Sequence, residues 1–380
     1  TADAAYCFPN RLQDIIVLQL ATSLNSQDSK APYYLGNLWY DKRQYSEAIA
    51  CWKLSAERDN TFPTVHRNLG MALFNKRSDA AAALEAYEKA FELNTSDARV
   101  LMELDQLSKR LNKEPQKRLA YLEDQRDVVE MRDDLYLERA ALYNFLGENE
   151  VAYALIMQRK FHPWEGGEGK VSGQYCYSLI EMAKTQIRQG KFGKAIGFLE
   201  RAQVYPPNLG EGKLFGAQEN DIFYWLASAY EEMGDTSKAT EFYQQATLGS
   251  FMPTAAIVYN DQQPDKIFYQ GLALNKLGDK EKATQVFQRL VEYGTAHLND
   301  DVKIDYFAVS LPDLLIFEDD LSKRNRTHCH YMLGLGLLGL GEYQRAKEEF
   351  SKGLQEDAMH FGSKTHLQLA IQMERSGMAV

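Results

Sequence analysis

Two pairs of closely spaced carboxylates could in principle form a hydrolytic site. Glu165 and Glu168 are three positions apart, and Glu219 and Asp221 are two positions apart. Glycoside hydrolases use two carboxyl groups that flank the scissile bond, and their separation in space decides the mechanism. Sequence spacing does not fix that separation. We therefore expect this chain by itself not to be an enzyme, and we assign no catalytic residue.

Two further patterns suggest a cofactor or a metal, but each has a simpler explanation. Residues 334–339 match the dinucleotide fingerprint GxGxxG, which requires a preceding strand and a βαβ unit. They lie instead in a helical pattern and end at a helix–helix turn. His328 and His330 flank Cys329, but residues two apart on a helix point in different directions. We predict no cofactor and no metal, because no other ligands stand at suitable spacing.

A short Gly-Glu-Gly-Lys motif occurs twice, at 167–170 and 210–213. Glycines around a Glu allow a tight turn and let backbone amides approach a ligand. A phosphate loop is excluded, since the spacing differs from the known motif and the Glu would repel phosphate. The motifs either join helices with solvated side chains or contact a partner. On the second hypothesis the contact residues are Trp164, Glu165, Glu168, Lys170, Glu211 and Lys213.

These motifs lie between copies of a longer repeat. A Gly or Ala is followed twelve residues later by Ala, or thirteen in one copy, and a bulky residue follows four residues after that Ala. Small residues let two antiparallel helices pack closely, and the bulky residues fill the space to the next hairpin. The seven copies begin at Gly36, Gly70, Ala140, Ala183, Ala227, Gly271 and Gly334.

The turns and the spacing support the same interpretation. Gly-Asp at 234–235 and 278–279 would end one helix and cap the next. The repeat resembles the tetratricopeptide repeat, although the Pro that usually closes each copy occurs only at Pro207. The resemblance implies an all-α, right-handed solenoid of helical hairpins, and we expect no strands. A weaker copy covers residues 97–131.

The repeat period changes along the chain, which predicts its organisation. It is 34 residues between the first two copies and 43 or 44 among the central ones, so the central joints carry about ten extra residues. Gly271 and Gly334 are 63 apart, which leaves room for an extra helix near Val302–Phe317, broken at Pro312. We expect one continuous solenoid, with N-terminal repeats over 1–132, central repeats over 133–297, and an insertion, a last repeat and a capping helix over 298–380.

Four segments together resemble a second family. They are 161–171 (FHPWEGGEGKV), 207–214 with 219–221 (PNLGEGKL, END), 307–313 (FAVSLPD) and 328–331 (HCHY). This set is similar to the C-terminal tetratricopeptide half of large bacterial proteins whose N-terminal domain resembles aldose mutarotases. The resemblance covers the chain from about Tyr6 onward. It implies a setting in carbohydrate metabolism and supplies no catalytic residues.

In tetratricopeptide repeats the first helix of each hairpin lines the concave groove, and its offsets predict the groove-facing residues. Aromatic side chains with polar ends are common anchors at binding surfaces. Asn37 and Asn68 match two asparagines of known peptide clamps, but Tyr33 stands where a Lys is expected, so a clamp for chaperone tails is disfavoured. The predicted groove residues are Tyr33, Tyr34, Asn37, Tyr40, Arg67, Asn68, Tyr177, Tyr224, Trp225, Phe268, Tyr269 and Tyr331.

Composition limits the partners. Forty-three basic and 53 acidic residues give a net charge of −10, which disfavours nucleic acid and anionic membrane surfaces. Four dispersed cysteines are typical of free thiols in a reducing compartment, so we expect a cytoplasmic protein. The chain starts at Thr1, and we interpret it as part of a longer polypeptide.

Two functions remain. The first is an interaction scaffold that binds a partner protein, or the upstream domain of its own polypeptide, through the groove and the inserted loops. The alternative is a carbohydrate-binding or carbohydrate-processing site shared with that domain.

Overall fold

The computed structural model describes residues 7–164, 166–256, 261–302 and 316–376. These residues form α-helices, turns and one short 3₁₀ helix, and none of them lies in a strand. The predicted all-helical fold is confirmed. The chain divides into two compact units: unit 1 comprises residues 1–113, 120–136 and 313–319, and unit 2 comprises 114–119, 137–312 and 320–380.

Unit 1 contains the first six helices, α8 and the second half of α7. Their bounds are α1 Leu12–Leu24, α2 Lys30–Asp41, α3 Tyr45–Arg58, α4 Pro63–Arg77, α5 Ala80–Leu93, α6 Ala98–Arg110, α7 Pro115–Asp124 and α8 Arg126–Val129.

Unit 2 contains most of α9 and all later helices. Their bounds are α9 Asp133–Leu146, α10 Asn149–Gln158, α11 Lys170–Arg188, α12 Phe192–Ala202, α13 Asn220–Glu232, α14 Thr236–Ala246, α15 Pro264–Lys276, α16 Lys280–His297, α17 Leu321–Gly339, α18 Tyr343–Glu356 and α19 Phe361–Ser376. The 3₁₀ helix covers Pro207–Leu209.

All seven predicted repeat copies coincide with consecutive helix pairs. These are α2/α3, α4/α5, α9/α10, α11/α12, α13/α14, α15/α16 and α17/α18. The weaker copy over 97–131 corresponds to α6 and α7. The predicted three-part division at residues 132 and 297 stays a prediction.

In the four copies that begin with Gly, the bulky residue of the same copy leaves no room for a larger side chain. A Cβ atom on Gly36 would lie 2.5 Å from the Trp52 ring, and one on Gly271 would lie 2.4 Å from the Phe287 ring. Contacts below about 3 Å are not tolerated without movement, so at these two positions only a residue without Cβ allows the helices this close. The alanines twelve or thirteen positions later are buried as well, as Ala48 and Ala283 illustrate.

The predicted turn chemistry is present. Gly234 and Gly278 adopt φ of +81° and +88°, the left-handed region that favours glycine after a helix. Asp235 then accepts a hydrogen bond from the Lys238 amide at 3.1 Å, and so caps the start of α14.

The extra residues of the central repeats form loops between hairpins. In their described parts, these loops connect α10 to α11, α12 to α13, and α14 to α15. The predicted extra helix over 302–317 lies mostly outside the described residues, and its last two positions, Ile316 and Phe317, are not helical. In the described ranges, every helix is too short or too polar to cross a lipid bilayer.

Candidate functional site

The two Gly-Glu-Gly-Lys loops of unit 2 are in direct contact. The Glu211 carboxylate of the second loop accepts hydrogen bonds from the amides of Gly169 and Ser172, both at 2.8 Å. Those amides belong to the first turn of α11, which has no partner for them within its own helix. Glu211 therefore caps α11 from a loop more than 35 residues away, where the helix dipole also favours a negative charge.

A second set of contacts joins the same loops. Phe161 donates its amide to the Asn208 carbonyl at 2.8 Å, and the Asn208 side chain donates to the carbonyls of Ile156 and Arg159. Gly210 has a φ of +76°, and a Cβ there would lie 2.6 Å from the Phe161 carbonyl oxygen. The loop pair, which we define as residues 161–170 and 205–219, is thus braced at two places.

Equivalent residues of the two motifs have different surroundings. Glu168 is exposed, whereas Glu211 is half-buried and bonded to backbone amides. Lys213 forms an ion pair with Glu219 at 2.6 Å and donates to the Gln203 carbonyl, while Lys170 begins α11 and is exposed. The two Glu do not play parallel roles, because only the second folds back onto a helix end. Trp164 is half-buried, with its ring against Gly167. Glu165 lies outside the described residues.

A pocket of about 490 Å³ opens beside the loop pair. It is bounded by the first turns of α11, by the second loop, and by the starts of α13 and α15. The residues that define its chemistry are Tyr177, Glu211, Phe215, Glu219, Asp221 and Lys266.

Ion pairs line the wall of this pocket. The Lys266 ammonium lies 2.6 Å from the Asp221 carboxylate and 3.5 Å from that of Asp265. Burial by itself would lower the pKa of Lys266, but the two carboxylates outweigh it and the pKa is raised, so Lys266 stays charged. The Asp221–Lys266 pair joins α13 to α15, whereas Glu219 pairs with Lys213 of the second loop.

The mouth of the pocket carries exposed apolar side chains. Phe215 is fully exposed, and the neighbouring Leu214 is 49% exposed. Exposed aromatic residues on a braced loop are a feature of protein-binding surfaces, because their burial in a complex gains free energy and costs little loop ordering.

In unit 1, the predicted polar groove residues form an internal network. Asn37 accepts hydrogen bonds from Trp52 at 3.0 Å and from Asn68 at 3.1 Å. Arg67 makes a two-pronged ion pair with the buried Glu103, with both distances 2.7 Å. The two asparagines are therefore bonded to the repeat itself.

The predicted aromatic residues of unit 1 divide by burial. Tyr33 is buried and packs edge-on against Phe62, with ring centroids 4.8 Å apart, whereas Tyr34 is half-buried. Tyr40 is half-buried as well, and burial raises its pKa, partly offset by the nearby Lys76.

The predicted aromatic row of unit 2 is largely internal packing. Phe268, Tyr269 and Tyr331 are buried in one cluster with the bulky residues of α16 and α18, so they offer no surface to a partner in this structure. This corrects their placement in the groove: the helix face assigned to the groove is also the face that packs between hairpins. Tyr224 and Trp225 are half-buried against Tyr269.

Tyr177 is the predicted aromatic residue that lines the pocket. It is half-buried, and its hydroxyl lies 3.0 Å from that of Thr365.

The GxGxxG match and the two histidines around Cys329 have structural roles. Residues 334–339 lie inside α17, where a Cβ on Gly334 would lie 2.4 Å from the Phe350 ring. His328 bonds to the Thr254 carbonyl and His330 to the Glu349 carboxylate, so the two histidines face different neighbours. Among the described residues, no three His, Cys, Asp or Glu side chains are grouped to hold a metal ion. The expected absence of metal stays a prediction.

The sequence did not predict that residues 316–319 pack against the helices of unit 1. The backbone of residues 316–319 contacts α4 and α6, and Phe317 lies against Phe74 and Tyr87. We call the residues that hold this segment the α4–α6 seat and define it as Phe74, Asn75, Lys76, Tyr87 and Arg110. No local pattern connects positions more than 200 apart, and the sequence offered only a general expectation of extra structure near Phe317.

Comparison with known proteins identifies the repeat. Three family models of the tetratricopeptide repeat match, over residues 33–98, 221–248 and 267–293. The first match covers the α2/α3 and α4/α5 hairpins, and the others cover α13/α14 and α15/α16.

Several solved structures are similar at low identity. They include YrrB, described as a TPR protein with an unusual peptide-binding site, at 14% identity and a TM-score of 0.37, with 60% of this chain and 97% of YrrB covered. Naa15/Naa10 bound to HypK-THB matches at 13% identity and a TM-score of 0.42, covering 96% of this chain and 58% of that one. The pilus biogenesis factor PilW matches at 16% identity and a TM-score of 0.31, covering 57% and 91%.

The hairpins, their small-residue contacts and the three family matches agree: this chain contains tetratricopeptide repeats.

Proposed function

We propose that this chain is a protein-interaction scaffold whose loop pair in unit 2 contacts a partner protein. One observation carries the proposal. Glu211 fixes both loops to the start of α11, and the braced second loop holds Leu214 and Phe215 exposed at the mouth of a pocket. A rigid loop with an exposed aromatic residue loses little conformational entropy when it binds, which favours association.

The pocket beside Phe215 suits a protein partner that presents both apolar and polar groups. Its wall carries Glu219, Asp221 and Lys266, while Tyr177 and the loop residues add apolar surface. An apolar anchor surrounded by polar groups is the usual anatomy of a non-obligate protein interface. In the finer form of the proposal, the partner is the upstream domain of the same polypeptide.

The experiment is a calorimetric titration of this chain with the upstream part of its polypeptide, expressed separately. Phe215→Ala should weaken binding at least 10-fold, on the order of the 1.4 kcal/mol or more expected of an interface anchor. Met233→Ala is the matched control, since Met233 is a 53% exposed apolar residue of the same unit, at the end of α13. Equal binding by both variants, or no binding by the wild type, would contradict the finer form.

The carbohydrate alternative and the cytoplasmic location stay predictions. A titration of the same chain with neutral oligosaccharides addresses the first. Binding that depends on Asp221 but not on Phe215 would favour the alternative over the scaffold. Fractionation of cells that produce the full polypeptide addresses the second.

A further inference from the structure

Residues 316–319 form a non-helical segment of unit 1, with bends at Ile316 and Phe317. The side-chain amide of Asn75 donates to the Ile316 carbonyl at 2.8 Å and accepts from the Glu318 amide at 3.0 Å. One side chain thus satisfies a donor and an acceptor of the segment's backbone on both sides of Phe317. Both contacts are made to backbone atoms, so they do not depend on the side chains of Ile316 and Glu318.

Phe317 fills an aromatic socket. Its side chain is 1% exposed, and its ring lies edge-on to Phe74 and Tyr87, with centroids 5.2 Å and 5.6 Å away. The Tyr87 hydroxyl is itself fixed by a 3.0 Å hydrogen bond to Glu103. A large aromatic side chain in a preformed pocket is the usual anchor of a peptide–protein contact.

Two basic residues form ion pairs with the acidic side chains at the end of the segment. Lys76 pairs with Glu318, and Arg110 pairs with Asp319 at 2.8 Å while lying 3.4 Å from the carbonyl oxygens of Phe317 and Glu318. Lys76 is in the last turn of α4 and Arg110 ends α6, so both also suit the negative ends of their helix dipoles.

The seat therefore has three elements that together define a ligand: a backbone clamp, an aromatic socket and two cations. The Glu318 and Asp319 side chains are 60% and 35% exposed, so water and salt screen their ion pairs. We propose that the α4–α6 seat binds an acidic peptide of a partner protein, with a Phe followed by two carboxylates, in competition with residues 316–319. This site lies in unit 1 and is independent of the loop pair.

Competition has a predictable strength. A segment of the same chain acts at an effective concentration of about millimolar, so a free peptide of the same sequence competes poorly with it. A natural partner must present the motif at high local concentration or add contacts beyond it. The test therefore uses a chain whose own segment is weakened.

The weakened chain is the double variant Glu318→Lys and Asp319→Lys. It places positive charge opposite Lys76 and Arg110, and both side chains are exposed enough to be changed without loss of packing. The probe is a fluorescein-labelled peptide with the sequence of residues 316–320, Ile-Phe-Glu-Asp-Asp. Fluorescence anisotropy should show at least 10-fold tighter binding to this variant than to the wild type. Binding should fall at least 10-fold when the peptide Phe is Ala, or when Asn75→Leu is added to the chain.

A second variant, Phe317→Ala, empties the socket directly and is used if circular dichroism shows that it stays folded. It should bind the same peptide more tightly than the wild type does. If it unfolds, the charge-reversal variant decides the question alone. The proposal is overturned if the folded charge-reversal variant does not bind the peptide, or binds the Phe and Ala peptides equally. Residues 316–319 would then be a packing element of unit 1.

Discussion

The Tyr87 hydroxyl donates a 3.0 Å hydrogen bond to the Glu103 carboxylate, which is completely buried. Arg67 holds the same carboxylate with two 2.7 Å contacts, and Arg99 adds a third at 2.9 Å. Because Tyr87 also forms a wall of the α4–α6 seat, a buried ion pair on α4 and α6 sets the shape of that seat. Arg67 holds Glu103 in this arrangement, and its predicted contact with a partner stays a prediction.

Removing one partner of this buried pair should strongly destabilise unit 1. We expect Arg67→Ala to lower the free energy of unfolding by about 3 kcal/mol, since it leaves Glu103 buried with less compensation. The exposed Lys89–Glu92 pair supplies the control, and Glu92→Gln should cost less than about 0.5 kcal/mol. Urea denaturation measures both, and equal effects would show that the Glu103 network contributes no more than a surface pair.

Stability should also depend on pH through Glu103. Burial favours its neutral form, but Arg67 and Arg99 outweigh burial and lower its pKa. A lowered pKa means that the unfolded chain binds the proton more readily, so this stabilisation is present above the unfolded value of about 4.3 and is lost as pH falls through the folded value. Glu103→Gln should remove that part of the acid sensitivity below about pH 4.5. If the stability of Glu103→Gln depends on pH as strongly as that of the wild type, groups other than Glu103 cause the acid sensitivity.

His366 gives unit 2 an acid sensitivity in a different window. Burial lowers the pKa of His366 to about 4, from an ordinary value near 6.5. Between those values the unfolded chain binds a proton at this residue that the folded chain does not, so His366 lowers stability by roughly 3 kcal/mol as pH falls from about 6.5 to about 4. Thermal unfolding of wild type and His366→Phe over this range measures it, and the variant should have the flatter profile. Identical profiles would contradict the assignment.

The two motif glutamates should differ in their effect on stability. Glu211→Ala removes two charge-assisted hydrogen bonds at the α11 N-terminus, and we expect a loss of about 1–2 kcal/mol. Glu168→Ala alters an exposed side chain and should change stability by less than about 0.5 kcal/mol. Melting temperatures of the two single variants test this difference, and equal shifts would argue against the capping role.

The repeat predicts opposite effects for two helical glycines. Gly271→Ala would place a Cβ 2.4 Å from the Phe287 ring and should destabilise unit 2 by about 1–3 kcal/mol. Gly197, inside α12, has open space around such a Cβ, so Gly197→Ala should stabilise by about 0.5–1 kcal/mol through helix propensity. A denaturation midpoint that moves in the same direction for both would contradict the close-packing argument.

These outcomes explain what the sequence could predict. The hairpins were predictable because Gly36 and Ala48, or Gly271 and Ala283, report a helix–helix contact within one local repeat. The loop pair was recognisable from its repeated motif, but the direction of Glu211 was not, because it depends on amides about 40 residues away. Residue type also could not show which of the predicted aromatic residues line the groove and which are buried between hairpins.

The α4–α6 seat illustrates the remaining limit. Asn75 and Phe317 form one arrangement only after the chain brings positions more than 200 apart together. Neither residue belongs to a motif, and single-sequence periodicity carries no information about such contacts. Phe268 and Tyr269 show a different limit. Their positions in the helix predicted that they line the groove, but their large side chains are buried between hairpins.

The central claim is that the loop pair contacts a partner protein, and site-specific photo-crosslinking tests it most directly. A photoreactive phenylalanine analogue is placed at position 215 or, as control, at position 233 of the full polypeptide in the cells that produce it. The scaffold account predicts a discrete protein adduct, or an internal crosslink to the upstream domain, at position 215 and not at 233. Absence of any adduct at 215, or equal labelling from both positions, would contradict it.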